Sequence, residues 1–398
     1  MIKNILKKMY YCGQNLFEKA VETYMHYNER KKFKDPRRVA IYSEVQLSAE
    51  QKKQIDAFYL QNYGHKIPYI WHQLYAAYTG NFDVQYFPDI LFSPEFEKYM
   101  HDEWAYQKAF SDKNLLPYIA KTVGVKMPKT LLSCANGLLR DGNNNHLSCV
   151  QFEQVFGNIG EAFIKPSVDS SSGIGCRVVN MQHGKDASSG QTTTTIMMDL
   201  GKNFIVQERI KCHESIAKIY PHSVNTFRVI TYRWKEHILA MPVIMRIGRG
   251  GKNVDNAHAG GMFIAVEPNG ALHKTAFTEF NEQFTEHPDT HLVFEGYKIF
   301  PIDTLIATAQ KMHAVLPQIG CYNWDFTLDR EGNAILMEAN TAQGSIWLIQ
   351  MAHGEGCFGE HTAEVLRWTA KMKELSYSER KFYNYGYMEK QGGRKCQK

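Results

Sequence analysis

The chain has 398 residues, of which 44% are hydrophobic and 22% charged, with a formal net charge of +5. These proportions are globular and exclude wholesale disorder, and the length suits two or three domains. So small a positive surplus, spread over this length, excludes binding driven by a basic surface, and no nucleic-acid partner is expected.

Residues 2–25 set Ile2, Ile5, Leu6, Met9, Leu16, Phe17, Ala20, Val21, Tyr24 and Met25 at helical spacing. This predicts one amphipathic helix with Lys3, Lys7, Lys8 and Lys19 on its polar face. The reading adopted is a helix docked on its own protein, with a membrane-surface helix as the alternative. Residues 1–38 hold ten basic and four acidic residues, a local balance of +6. A solvated linker accounts for that balance, and peripheral contact with an anionic surface stays open beside it. Gln14, Asn15 and Glu18 break the apolar run after the first lysines, so no secretory signal is expected. No apolar run reaches the ~18 residues of a membrane span. The eight cysteines are widely spaced and contain no C-x-x-C pair. Reduced thiols and a cytoplasmic location are therefore expected, rather than a disulfide framework or a structural zinc site.

Residues 48–110 look mainly helical, with many Tyr and Trp and no chemical motif. Ser111 or Asp112 predicts the cap of a helix through Thr122, ended by Gly124 and Pro128. Strand-like runs follow at 161–165, 175–179 and 203–209, then at 226–234, 237–246, 262–267, 322–328 and 334–339. The polar, low-complexity segment 183–195 reads as a hairpin tip or mobile loop. Residues 302–316 and 360–374 read as helices, and the last ten residues as a basic tail. Mixed strands and helices predict an α+β fold.

Tyr322 to Asn340 carries the strongest local signal. Two alternating runs flank a glycine-containing turn, which predicts a hairpin. With Glu331-Gly332 as a two-residue loop, Asp325 faces Glu338 and Asn323 faces Asn340. Period two adds Thr327 and Leu336 to that face, and puts Trp324, Phe326, Leu328, Ile335, Met337 and Ala339 on an apolar one. Like charges opposite one another in a sheet are unfavourable. Either a hard cation compensates, with Asp325, Glu338 and Asn340 as magnesium-type ligands, or the polar face is only hydrated.

Lys165-Pro166-Ser167 ends a strand before the loop Ser170-Ser171-Ser172-Gly173. Small residues let backbone N–H groups converge on an anion, and the lysine adds a charge; a flexible turn is the alternative. Arg228 on a strand, Arg246, and Asn256-Ala257-His258-Ala259-Gly260-Gly261 form a polar concentration suited to phosphates or carboxylates. Gly354-Glu355-Gly356-Cys357-Phe358-Gly359 matches a dinucleotide fingerprint in letters only, lacking the strand before it and the βαβ unit after it. It reads as a loop before a helix.

Taken in order, Asp112-Lys113, Lys165-Pro166-Ser167 with its loop, Val206-Gln207-Glu208-Arg209-Ile210, Arg228, Asn256 with Gly260-Gly261, and Asp325 through Glu338-Ala339-Asn340 resemble the ATP-grasp superfamily. The resemblance covers residues 111–350. It is nearest the branch of ribosomal-protein glutamate ligases and, with the helical N-terminal part, the sugar-transfer-associated subgroup. It implies an ATP-grasp fold with a helical region at 1–110, a lid at 111–207, a catalytic body at 208–375 and a polar tail at 376–398. It also implies a carboxylate–amine ligase that uses ATP and one or two Mg²⁺ ions through an acyl phosphate. Small-molecule substrates are implied, linked to sugars in surface-polysaccharide synthesis by the subgroup's name alone. A phosphotransferase acting on a hydroxyl and a non-catalytic nucleotide-binding scaffold are the alternatives.

By position, the resemblance gives Lys113, Lys165, Ser171, Ser172, Gly173, Glu208 and Ile210 to ATP. It gives Asp325, Glu338 and Asn340 to magnesium, and Arg228 and Asn256 to the transferred phosphate. Thr341-Ala342-Gln343-Gly344-Ser345 replaces the Pro-Gly turn frequent in the family at the acceptor site. Glu214 is a candidate for the ribose.

Overall fold

The computed structural model describes residues 2–101, 104–168, 174–252 and 254–382. Four helices lead the chain: α1 (Ile2–Lys32), α2 (Pro36–Ser43), α3 (Ala49–Tyr63) and α4 (Ile70–Thr79). Local chemistry sets their ends. Ser48 and Gln51 cap α3 reciprocally, and Gly64, at φ 83°, takes the left-handed conformation that ends it. A π-helical turn follows at Phe92–Glu97.

The first sheet contains β1 (Thr130–Ala135), β2 (Leu138–Asp141), β3 (Gly160–Pro166), β4 (Arg177–Gln182), β5 (Lys185–Asp186) and β6 (Asn203–Glu208). Their order is β2-β1-β6-β3-β4-β5. Ala162, Ile164, Val179 and Val206 pack one face against Phe152, Phe156 and Ile196 of the helices Cys149–Phe156 and Thr193–Leu200. The alternate residues Phe163, Lys165 and Gln207 line a cleft on the other face.

The second sheet contains β7 (Thr226–Trp234), β8 (His237–Ala240), β9 (Val243–Ile247), β10 (Met262–Val266), β11 (Ala276–Phe277), β12 (Gln283–Phe284), β13 (Cys321–Leu328) and β14 (Ala334–Asn340). It runs β12-β11-β10-β9-β7-β13-β14, with β8 also on β7. Both faces are covered, which is why its central strands are apolar on both sides. Ile230, Tyr232, Ile244 and Phe263 share a core with Trp71, Tyr75, Phe92 and Phe96 of the N-terminal helices. Phe227, Val229, Met245 and Trp324 share another with Leu116, Leu305 and Met312. Arg228 and Asp325 lie on the first of these faces, beyond the edge of the N-terminal helices.

Three local expectations need correction. Segment 183–195 starts as the expected hairpin tip, His183-Gly184 joining β4 to β5, but its threonine run opens a helix, capped where Thr192 Oγ1 accepts the Thr195 N–H at 3.2 Å. Asp112 caps a turn, accepting the Asn114 N–H at 2.8 Å, and the helix begins only at Leu116. The β13–β14 connection is not a two-residue loop. Leu328 pairs with Ala334, and Asp329 Oδ1 closes a five-residue loop on the Asn333 N–H at 2.7 Å. As expected, the Gly354–Gly359 segment is a loop between helices Ile346–His353 and Thr362–Glu374.

Candidate active site

Asp325 is the centre of the site. On β13 it lies opposite Arg228 of β7 on one side and Glu338 of β14 on the other. It is only 2% exposed. Its Oδ1 accepts from Arg228 Nε at 2.7 Å, and its Oδ2 from Arg228 Nη2 at 3.2 Å. Arg246 Nη2 on β9 stands 3.1 Å from the same Oδ2. Burial pushes the Asp325 carboxyl up, against the pull of the two guanidiniums. Arg228 therefore has the anionic partner that a buried arginine needs, and that partner belongs to the protein.

Asp325–Glu338 and Asn323–Asn340 pair as the alternation predicts. The register then slips by one, so that Phe326 pairs with Leu336 and Met337 is the extra residue of a β-bulge. The slip moves Leu336 into the apolar core beside Trp324, while Met337 joins Glu338 and Asn340 on the cleft wall. This reverses the faces expected for Leu336 and Met337. The Met337 carbonyl, displaced from regular pairing, accepts from Lys165 Nζ at 3.3 Å.

Glu338 Oε2 lies 3.6 Å from Lys113 Nζ, and Glu338 Oε1 accepts from Asn340 Nδ2 at 3.3 Å. That contact leaves Asn340 Oδ1 as an acceptor. Burial raises the Glu338 carboxyl, but Lys113 and Lys165 outweigh it and hold the group at about 2. Burial pulls the Lys165 amine below its ordinary value, opposed by Glu338.

Arg246 is the residue that sequence reasoning did not assign, although the Arg/Asn/His/Gly cluster contained it. Its Nη1 donates to Asn256 Oδ1 at 3.1 Å and its Nη2 to Thr226 Oγ1 at 2.6 Å. Burial opposes its charge, but Asp325 and Asp255 outweigh that and raise its pKa. Beyond Asn256, His258 Nδ1 meets Glu279 Oε2 at 2.7 Å, while Arg38 of α2 binds Glu279 Oε1 at 2.9 Å. The His258 side chain is 54% exposed and lines the cleft beside Trp347.

A cleft of about 980 Å³ joins these groups between the two sheets. Glu208 and Ile210 line it, Glu208 Oε1 also accepting the Lys129 N–H at 2.8 Å. Glu214 lines it too. Ser171, Ser172 and Gly173 lie outside the described residues. Lys165, Arg228, Asn256, Glu208, Ile210, Asp325, Glu338 and Asn340 thus line one cleft, and Lys113 reaches it through Glu338. Four cationic side chains (Lys113, Lys165, Arg228, Arg246) gather on three carboxylates (Asp255, Asp325, Glu338). The surplus is positive, and it lies beside carboxylate and amide oxygens. That combination holds polyanions together with hard cations.

No curated protein sequence matches the chain. Solved structures resemble it distantly. A carboxyaminoimidazole ribonucleotide synthase from Aspergillus clavatus complexed with ATP is 11% identical at TM-score 0.37, over 62% of this chain and 48% of that one. VanG D-Ala:D-Ser ligase from Enterococcus faecalis is 11% identical at TM-score 0.39, over 69% and 64%. D-alanyl-alanine synthetase A from Vibrio cholerae is 14% identical at TM-score 0.38, over 67% and 66%. The chain spans about half the length of the first of these. The family model described as sugar-transfer associated ATP-grasp matches residues 91–365, from the π-helical turn through both sheets. With more than half of its length matched, the chain belongs to the sugar-transfer associated ATP-grasp family.

Proposed function

We propose that this protein is an ATP- and Mg²⁺-dependent carboxylate–amine ligase. The observation that carries the reading is the positive surplus around Asp325 and Glu338 on the wall of a nucleotide-sized cleft. Lys165 and Lys113 contact ATP phosphates, and Glu208 and Ile210 border the adenine; Ser171, Ser172 and Gly173 are assigned to ATP by the resemblance alone. Residues 111–207 form the lid and 208–375 the body.

The donor set fits magnesium. Glu338 is held ionised, Asn340 Oδ1 is an open acceptor, and both are hard oxygen ligands. Asp325 is the more constrained third member, because three arginine contacts already occupy its oxygens. Bound there, the metal supplies charge neutralisation for the phosphates. Arg246 and Arg228 hold the transferred phosphoryl group, and Asn256 orients Arg246.

A substrate carboxylate oxygen attacks the γ-phosphorus and ADP leaves. The acceptor amine then attacks the acyl carbon and inorganic phosphate leaves. The amine proton passes to His258 Nε2, the nitrogen opposite the Glu279 contact. Trp347 beside His258 offers a stacking face that suits a sugar-linked substrate. Mass spectrometry of products from pooled amino acids and amino sugars with ATP and Mg²⁺ tests the reading. An amide product, with ADP release that requires the amine, is expected. A phosphorylated hydroxyl, or ADP release indifferent to any amine, overturns it.

A further inference from the structure

Helix α1 lies on the protein with its polar side inward. Glu22 pairs with Lys98 at 3.0 Å and with Tyr99 at 2.7 Å, His26 with Glu95 at 3.1 Å, and Glu18 with Arg380. These polar pairs, together with the Tyr11–Tyr377 ring contact and the partly buried Val21 and Met25, fix the rotation of the helix. The face turned outward carries Leu6, Met9, Leu16, Phe17, Tyr24 and Tyr27, each at least 58% exposed. Successive spacings of three, seven, one, seven and three residues keep them on one side of the helix, in an apolar stripe of about 30 Å at 1.5 Å per residue. Seen from solvent, the amphipathic pattern is inverted. Single exposed apolar residues are ordinary, but a contiguous row on one helix marks an interaction surface.

Charge decides what meets it. Lys8, Lys19 and Arg30 recur every eleven residues, about three helical turns, and so form one edge beside the stripe. All three are exposed, as are Lys31, Lys32 and Lys34 beyond them. Glu18 and Glu22 pair toward the body and Glu29 offsets only Lys32, so the charge of Lys8, Lys19 and Arg30 stands at the surface. An apolar row of Leu, Phe and Tyr edged with uncompensated lysine and arginine has the chemistry of a helix lying in the headgroup layer of an anionic bilayer. No described helix is long and apolar enough to cross a membrane. We propose that α1 seats the protein on an anionic membrane surface with this stripe in the interface, the cleft remaining on the aqueous side of the fold.

Flotation of the full-length protein with phosphatidylcholine vesicles, with and without phosphatidylglycerol, tests this. The protein is expected to float with the anionic vesicles, less so at high salt, and little with the neutral ones. Leu16→Ser with Phe17→Ser removes side chains that touch no core, and a loss of at least ~10-fold in vesicle affinity is expected. Lys8→Glu with Lys19→Glu is the second variant; it keeps the stripe and should lose binding to anionic vesicles alone. ATP affinity should be unchanged in both, so the test stands apart from that of the ligase reading. No binding to anionic vesicles by the unaltered protein overturns the proposal. So does a dimer by light scattering that Leu16→Ser with Phe17→Ser converts to monomer, since a second copy would then cover the stripe.

Discussion

Glu97 and Gly344, 247 residues apart in the chain, meet in a hydrogen bond: Glu97 Oε1 accepts the Gly344 N–H at 2.9 Å. Glu97 Oε2 accepts the Gln343 N–H at 2.8 Å. The π-helical turn of the N-terminal region thereby holds the loop that leaves Asn340. Gly344 has no room for a side chain, since a Cβ would stand 2.8 Å from Phe92 and 2.9 Å from Asn323. The helical region thus fixes the loop that carries Ala342, Gln343 and Ser345 along the cleft.

Burial pushes the Glu97 carboxyl up to about 7 from an ordinary 4.5. A raised folded-state value means that the folded protein holds this proton more tightly than the unfolded chain. The associated stability is complete below about 4.5 and is lost as pH rises through about 7. Glu97→Gln should flatten that fall, which amounts to up to ~3 kcal/mol. Chemical denaturation of both proteins at a series of pH values measures it, and equal slopes would contradict the assignment.

Deleting Met337 should close the bulge without turning β14 over. Leu336 stays opposite Phe326 and Glu338 opposite Asp325, and as neighbours they face opposite sides, as period two requires. What the deletion removes is the carbonyl that accepts from Lys165. Mg²⁺-dependent nucleotide binding should therefore weaken but persist on deletion and be unchanged in Met337→Leu, as read by calorimetry; abolished binding on deletion would contradict this register.

These particulars divide what the sequence reveals from what it conceals. The pairing of Asp325 with Glu338 is legible because alternation and a turn fix it locally. The bulge is not, because Leu336 and Met337 are both apolar and either satisfies the pattern. Arg246 stands among candidate residues, but its partners Thr226 and Asp325 come from other strands, and pairing order is non-local. Glu97 sits in an aromatic stretch without a motif, so nothing nearby marks it as the anchor of a loop some 250 residues on. The apolar periodicity of α1 is plain in the sequence. Which side faces water depends on ion pairs with Glu95, Lys98 and Arg380, beyond the helix.

Arg228→Ala should destabilise the protein, in addition to any effect on turnover. It leaves Asp325 buried with only Arg246 for a partner, a change that costs about 3–5 kcal/mol for a broken buried pair. Thermal melts should show the loss, with Arg228→Lys recovering part of it. A melting temperature equal to that of the unaltered protein would mean that Arg246 alone suffices.

His258→Ala should lower turnover by ~10²-fold or more while leaving ATP affinity unchanged, as expected for loss of a proton acceptor. Turnover should recover in part at alkaline pH, where the acceptor amine loses its own proton to solvent. Glu279→Gln should show a smaller loss of the same kind, because Glu279 acts through His258. Steady-state rates across pH, with separate nucleotide titrations, distinguish this from a collapse of the cleft.

The central claim is that the cleft between the two sheets binds ATP with Mg²⁺ on the cationic wall formed by Lys165 and its neighbours. Calorimetric titration of ATP, with and without Mg²⁺, into the unaltered protein and Lys165→Ala tests it most directly. The account predicts saturable binding that needs Mg²⁺ and weakens by ~1.5–3 kcal/mol in the variant, the range for a lost hydrogen bond to a charged group. Binding indifferent to both Mg²⁺ and Lys165, or no binding by the unaltered protein, would contradict it.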